Sequence, residues 1–120
     1  MVLLFCIVAF NFTMSLIILN QKAIGMAGCI CMDKENMVLG LYYQISGAYW
    51  GYGYASEAAD AILHYVLNKF PNAIIKAEAV SVNPASVAVL KKIGLKQTHI
   101  EEKGFKRNSY ELDLIHFSNT

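Results

Sequence analysis

Apolar side chains recur with a helical period in the middle of the chain and form short extended runs on either side of it. Within residues 56–70 they stand three and four positions apart, which puts them on one face of a helix. This stripe predicts an amphipathic helix that Pro71 ends. The stripe consists of Ala59, Ile62, Leu63, Val66, Leu67 and Phe70.

Asn83 and Pro84 mark the start of a second predicted helix. Asparagine suits the N-cap and proline the first helical position. The helix is predicted to end at Lys91 and Lys92, followed by Gly94, because cations favour the last turn and glycine accepts a left-handed cap.

Extended apolar runs predict strands before, between and after these helices. The resulting order β-β-β-α-β-α-β-β predicts the α/β (α+β) class, with a mixed, largely antiparallel sheet and helices on both faces. Residues 15–120 are predicted to form one domain, preceded by an apolar segment at 1–14. The predicted strands cover residues 15–19, 24–32, 37–45, 74–80 and 110–115, with a further strand around Phe105.

Composition narrows the function classes. A net charge of +1 without a basic stripe argues against nucleic-acid binding. The three cysteines and three histidines stand at no metal-ligand spacing, so we expect no metal site, and a reducing compartment, the cytoplasm, fits best. Residues 1–19 carry no charge, but Asn11, Thr13 and Ser15 interrupt them, which favours strand material in the core over a membrane anchor.

The glycine-rich turn at residues 50–55 is the most informative motif. Gly51 and Gly53 separate an extended run from the first helix, an arrangement that presents backbone N–H groups and a helix N-terminus to an anion. No Lys-Ser or Lys-Thr follows, which excludes a P-loop. Two other interpretations stay open: a dinucleotide site completed by Glu78, and a turn that needs glycine only for positive φ.

Three segments together resemble the GCN5-related N-acetyltransferase (GNAT) superfamily, and its ribosomal-protein (Rim-type) acetyltransferase-like branch in particular. They are residues 43–58 with the glycine turn, residues 75–86 with the Asn-Pro-Ala-Ser sequence, and residues 89–95. The resemblance covers about residues 15–115. It implies an acyl-CoA N-acyltransferase fold in which the strands at 39–45 and 74–80 splay apart to admit acetyl-CoA.

The resemblance also implies a set of cofactor-binding residues. The amides of the glycine turn would hold the pyrophosphate, the splayed strand would line the pantetheine arm, and the start of the second helix would face the thioester. These residues are Tyr43, Ile45, Gly51, Tyr52, Gly53, Tyr54, Ala55, Asn83 and Ser86.

The implied reaction moves an acetyl group by direct attack to a primary amine, on a protein N-terminus or a small molecule. Ser86 is the candidate proton donor, because the tyrosine of many relatives is Leu90 here. Gly40 stands where relatives often carry a glutamate, so no general base is assigned.

The resemblance further implies that the first strand and two helices of the family are missing. The expected consequences are exposed apolar surface and self-association into a homo-oligomer. A non-catalytic acyl-CoA-binding or interaction module is therefore the alternative function.

Overall fold

A computed structural model describes residues 3–9 and 12–120 of the chain, and its side chains from residue 15 onward. This part of the chain forms one sheet and two α-helices. The elements are β1 (Leu3–Ala9), β2 (Phe12–Leu19), β3 (Lys22–Asp33), β4 (Val38–Ile45), α1 (Tyr54–Lys69), β5 (Ile74–Val80), α2 (Pro84–Lys92), β6 (Lys96–Arg107) and β7 (Tyr110–Ser118).

The sheet has the strand order β1-β2-β3-β4-β5-β7-β6. Neighbouring strands are antiparallel, except that β4 and β5 are parallel. The predicted mixed, largely antiparallel sheet is therefore confirmed. The strand bounds agree closely in the middle of the chain, where β5 is the predicted segment 74–80.

The two helices contact each other and pack on one face of the sheet, whereas the sequence prediction puts helices on both faces. The crossovers β4-α1-β5 and β5-α2-β6 each join parallel strands and run in the same direction across the sheet. Because such crossovers are right-handed, both helices must lie on the same face.

One hydrophobic core fills the space between the helices and this face of the sheet. On β5 the side chains of Ile75, Ala77 and Ala79 are buried there, while the alternating Lys76 and Glu78 are exposed on the other face. Large apolar side chains also stand exposed away from this core, among them Leu16, Met26, Ile30 and Met32.

Two strands differ from the sequence prediction. β2 begins at Phe12 instead of residue 15, and β6 begins at Lys96, well before the predicted strand around Phe105. The backbone of residues 3–9 forms β1 and pairs with β2. The sequence analysis expects residues 1–14 to lie in the core, but their side chains are outside the described part of the chain. Among the described residues, no helix combines the length and apolar character that crossing a membrane requires.

We expect Cys29 on β3 to make the stability of the core sensitive to alkaline pH. Its side chain is buried, and burial raises the pKa of the thiol from 9.0 to about 12. The unfolded chain releases this proton near pH 9 while the folded chain retains it, so stability is full below pH 9 and falls as the pH rises towards 12. The expected loss is about 1.4 kcal/mol per pH unit, or about 2 kcal/mol at pH 10.5.

Urea unfolding of the wild type and of Cys29→Ala, at about pH 8 and about pH 10.5, measures this effect. The variant should lose less stability between the two pH values than the wild type does. Equal losses in both proteins would show that Cys29 does not cause the alkaline sensitivity.

Candidate active site

A cleft opens where the two parallel strands separate. β4 and β5 pair at Val38 with Ile74, Leu39 with Ile75 and Gly40 with Lys76, and at no later position. Residues 41–45 of β4 therefore have no β5 partner on this side. The cleft is closed at Gly40 and Lys76, and the strands are unpaired from there towards the end of β4.

The glycine turn follows the open end of this cleft. Gly51 and Gly53 have φ values of 86° and 82°, in the left-handed region, and Gly53 is the N-cap of α1. A Cβ at either glycine would meet no heavy atom within 4 Å, so the backbone of the turn is openly accessible. No side chain caps α1, which leaves its first-turn amides and the positive end of the helix dipole facing outward. This geometry suits an anionic group.

Aromatic side chains hold the turn against β4. The indole Nε1 of Trp50 donates a 2.7 Å hydrogen bond to the carbonyl oxygen of Ile45, although the ring itself is 71% exposed. The rings of Tyr52 and Tyr54 stack with their centroids 5.6 Å apart. The side chain of Ile45 is buried in the core, so the indole bond ties the turn to a fixed point.

A hydrogen bond between Tyr43 and Ser86 spans the cleft. The Tyr43 hydroxyl lies 2.8 Å from Ser86 Oγ and 3.1 Å from the carbonyl oxygen of Ser86, to which it can donate. Burial raises the pKa of Tyr43, and the hydrogen bond to Ser86 partly opposes that shift. Both hydroxyls are therefore neutral near pH 7 and can pass a proton to an anion beside them. The sequence prediction names both residues but not their contact.

Asn83 is the N-cap of α2, as predicted, because its Oδ1 accepts a 3.2 Å hydrogen bond from the backbone N–H of Ser86. We expect Asn83→Ala to reduce the free energy of unfolding by about 1 kcal/mol, since the cap is lost. Asn83→Asp should leave stability unchanged, because aspartate caps equally well. Thermal denaturation of the two variants checks this, and equal stability of both would contradict a capping role.

Glu78, the candidate for a dinucleotide site, and the exposed His64 lie away from the glycine turn. Glu78 is exposed on the sheet face opposite α1, so it does not complete a dinucleotide site with Gly51 and Gly53. His64 is exposed on α1, where its Nδ1 lies 3.4 Å from Asp60. Within the described ranges 3–9 and 12–120, no group of histidine, cysteine and carboxylate side chains could hold a metal ion.

Comparisons with known proteins agree with this geometry. The family model described as the acetyltransferase (GNAT) domain matches residues 8–96. The uncharacterized protein YkkB of Bacillus subtilis is 36% identical over 73 residues, which are 60% of this chain and 42% of YkkB. The FsC-acetyl coenzyme A-N(2)-transacetylase of Aspergillus fumigatus is 36% identical over 59 residues, which are 49% of this chain and 24% of that enzyme.

Among solved structures, that of RimL, a ribosomal L7/L12 alpha-N-protein acetyltransferase in complex with coenzyme A, superposes with a TM-score of 0.83 at 16% identity. The superposition covers 90% of this chain and 61% of RimL, and it shows a likeness of fold alone. The chain spans less than half the length of the two curated relatives.

The sheet with its single parallel pair, the cleft and the glycine turn define an acyltransferase-type fold. Since the GNAT model matches well over half of the residues, this chain belongs to the GNAT acetyltransferase family.

Proposed function

We propose that this chain is an acetyl-CoA-dependent N-acetyltransferase domain that acts on a primary amine of a protein N-terminus or a small molecule. The observation that carries the proposal is the junction of two features. An anion-binding turn stands at the open end of a cleft whose wall is an unpaired strand edge. An acyl-CoA has the matching order of parts, a pyrophosphate followed by an extended arm with amide groups.

The dimensions of the cleft support this assignment. The five unpaired residues 41–45 extend about 16 Å at about 3.3 Å per residue, comparable to an extended pantetheine arm. With the pyrophosphate on the amides of Gly51 to Ala55, the arm would run along Ile45 and Tyr43. The thioester would then lie between Tyr43 and the closed end at Gly40.

The chemistry of the cleft fits direct transfer. The Tyr43 and Ser86 hydroxyls are the candidate proton donors to the departing thiolate, Ser86 directly and Tyr43 through their hydrogen bond. Leu90, which replaces the tyrosine of many relatives, is fully buried in the core and supplies no hydroxyl. Ser86 is therefore the residue on which the proposed protonation depends.

A non-catalytic acyl-CoA-binding module is the second candidate. The exposed apolar side chains of the sheet, such as Ile30 and Met32, favour it, because they suit a contact with a further protein surface. The same surface supports the proposed homo-oligomer. The free thiols of Cys29 and Cys31 are consistent with the proposed cytoplasmic location.

Isothermal titration with CoA and with NADH, followed by transfer of radiolabelled acetyl groups to a panel of amines, separates these functions. Binding of CoA with transfer of label supports the acetyltransferase. Binding of CoA without transfer to any amine supports the binding module. Binding of NADH in place of CoA would overturn both.

Ser86→Ala tests the role of the hydroxyl. We expect it to lower kcat about 100-fold, because the thiolate loses its proton donor, while the affinity for CoA stays unchanged. Stopped-flow release of free CoA thiol measures the rate. An unchanged kcat in Ser86→Ala would remove this residue from the mechanism.

A further inference from the structure

Four titratable side chains meet on the sheet face opposite the helices. This group, the His116 cluster, consists of Glu78 on β5, His99 and Glu101 on β6, and His116 on β7. The strand register explains their proximity, since Glu78 and His99 both stand opposite His116. The sequence analysis did not connect them, because they lie far apart along the chain.

His116 is the centre of the cluster. Its Nε2 lies 2.9 Å from Glu101 Oε2, and its Nδ1 lies 3.9 Å from Glu78 Oε2. The ring of His99 stacks on it in parallel, with the centroids 4.3 Å apart. The His116 side chain is 25% exposed, whereas both glutamates are about half exposed. The imidazole is therefore held in place and partly exposed, with Glu78 on its Nδ1 side.

The hydrogen bond to Glu101 determines which nitrogen carries the proton. An ionised carboxylate only accepts, so Nε2 of His116 must donate, and Nδ1 of the neutral ring then presents its lone pair. That lone pair faces the carboxylate of Glu78, another acceptor, across a gap too long for a hydrogen bond. A group with several N–H donors and a positive charge, such as an ammonium, complements both acceptors.

The cluster stands beside the closed end of the cleft. Lys76 is the last β5 residue paired with β4, and Glu78 follows two positions later on the same face. Under the proposed function the thioester lies at this end. An acceptor approaching from the face opposite the helices meets Glu78 and His116 first.

We propose that His116 is the general base of the transferase, and that the acceptor binds as a primary ammonium between His116 Nδ1 and Glu78. The ammonium gives one proton to Nδ1, and its freed lone pair forms the C–N bond at the thioester carbonyl carbon. The C–S bond breaks, Ser86 gives its hydroxyl proton to the departing thiolate and takes up the second N–H proton, and His116 releases its proton to water. Glu101 is a positioning residue that keeps Nδ1 free. This inference rests on the proposed function for its reaction and on the cluster geometry for its binding site.

Other polar groups lie around His116 and line a cavity beside it. A cavity of about 280 Å³ adjoins the imidazole. Lys76 on β5 is the cation that lines it, and Thr98 bonds to both His99 and the backbone of His116. Ser118 and Thr120 add hydroxyls. The charged and titratable groups around the base are thus Lys76, Glu78, His99 and Glu101, and since Lys76 repels a cation on the cavity side, the ammonium binds on the Glu78 side.

Titration with n-butylammonium, followed by NMR of the His116 ring, tests the binding site without any enzyme activity. Tetramethylammonium is the control, because it carries the same charge but no N–H donor. We expect n-butylammonium to shift the His116 signals and tetramethylammonium to leave them unchanged. Glu78→Gln should weaken the n-butylammonium affinity about tenfold or more. Equal responses to the two cations, or none to either, would overturn the proposal.

Kinetics of His116→Gln test the base. We expect kcat/KM to fall about 100-fold or more, and the rise of kcat/KM with pH that a general base causes to disappear. His64→Gln, an exposed histidine far from the cluster, is the matched control and should behave as the wild type. The affinity of His116→Gln for CoA should be unchanged.

The outcomes separate the two proposals. Loss of CoA binding by the wild type would refute the proposed function, and the n-butylammonium titration would still decide the acceptor site. CoA binding and acetyl transfer in which His116→Gln keeps its rate and its pH profile would refute only the role of His116.

Discussion

Gly53→Glu is expected to abolish measurable CoA binding while the protein remains folded. A glutamate at the N-cap of α1 would place a negative charge where the pyrophosphate is proposed to sit. At about 4 Å and an effective dielectric constant of about 20, two such charges repel by about 4 kcal/mol. The affinity for CoA should therefore fall at least about 100-fold, since each 1.4 kcal/mol corresponds to about a factor of ten. Isothermal titration at fixed ionic strength measures the change.

Gly94→Glu is the matched control for this variant. Gly94 follows the end of α2, has a φ of 97°, and like Gly53 would have no heavy atom within 4 Å of an added Cβ. Both substitutions therefore cost about 1–2 kcal/mol of backbone strain, but Gly94 lies outside the proposed binding turn. Gly94→Glu should lose the same stability as Gly53→Glu and bind CoA normally. Wild-type affinity in Gly53→Glu would show that the turn holds no pyrophosphate.

The sequence predicts best those elements of which one face is buried, because burial of one face gives the apolar residues a regular spacing along the chain. Ile75, Ala77 and Ala79 alternate with Lys76 and Glu78 because one face of β5 lines the core. The stripe of α1 follows the same logic with a helical period, and Asn83 with Pro84 marks the start of α2.

The first half of β6, before the predicted strand around Phe105, was not predicted because burial does not shape this strand. Nearly all its side chains from Lys96 to Arg107 are exposed, and it lies at the edge of the sheet, where pairing with β7 holds it. A strand defined by backbone pairing alone leaves no alternation in its sequence. The bulges between Gln97 and His99 and between Glu101 and Phe105 disturb any remaining pattern.

The residues of the candidate site fall into two groups: those that a local sequence motif reveals, and those that only the folded structure brings together. The glycine turn is local, so Gly51 and Gly53 reveal it from the sequence. The contact of Tyr43 with Ser86 depends on how α2 packs against β4, and that of His116 with Glu78 and Glu101 depends on strand register between distant segments. Alternation along β5 is the one local signal, since it puts Glu78 on the face opposite Ile75, Ala77 and Ala79. The alternation does not reveal which β7 residue stands opposite Glu78.

Phe117→Ala is expected to have the largest effect on stability. Phe117 is 1% exposed and lies on β7 beside Ala77 of β5 and Gln97 of β6, in the core under the helices. Removing a buried phenylalanine costs about 3–5 kcal/mol, because the small neighbour Ala77 cannot fill the cavity. Domains of this size have a total stability of about 5–15 kcal/mol, so the variant should be close to unfolding at 37 °C.

The loss of stability in Phe117→Ala should also affect the cleft, because β7 pairs with the edge of β5 opposite the one that faces β4. Tyr110→Ala is the control, since Tyr110 lies at the other end of β7 and is 68% exposed. Urea unfolding should show a change of about 0.5 kcal/mol or less for Tyr110→Ala. A similarly small change for Phe117→Ala would mean that the core does not depend on the contact between β7 and the helices. If the stability of Phe117→Ala falls and saturating CoA restores part of it, then CoA binds the folded state in preference to the unfolded chain.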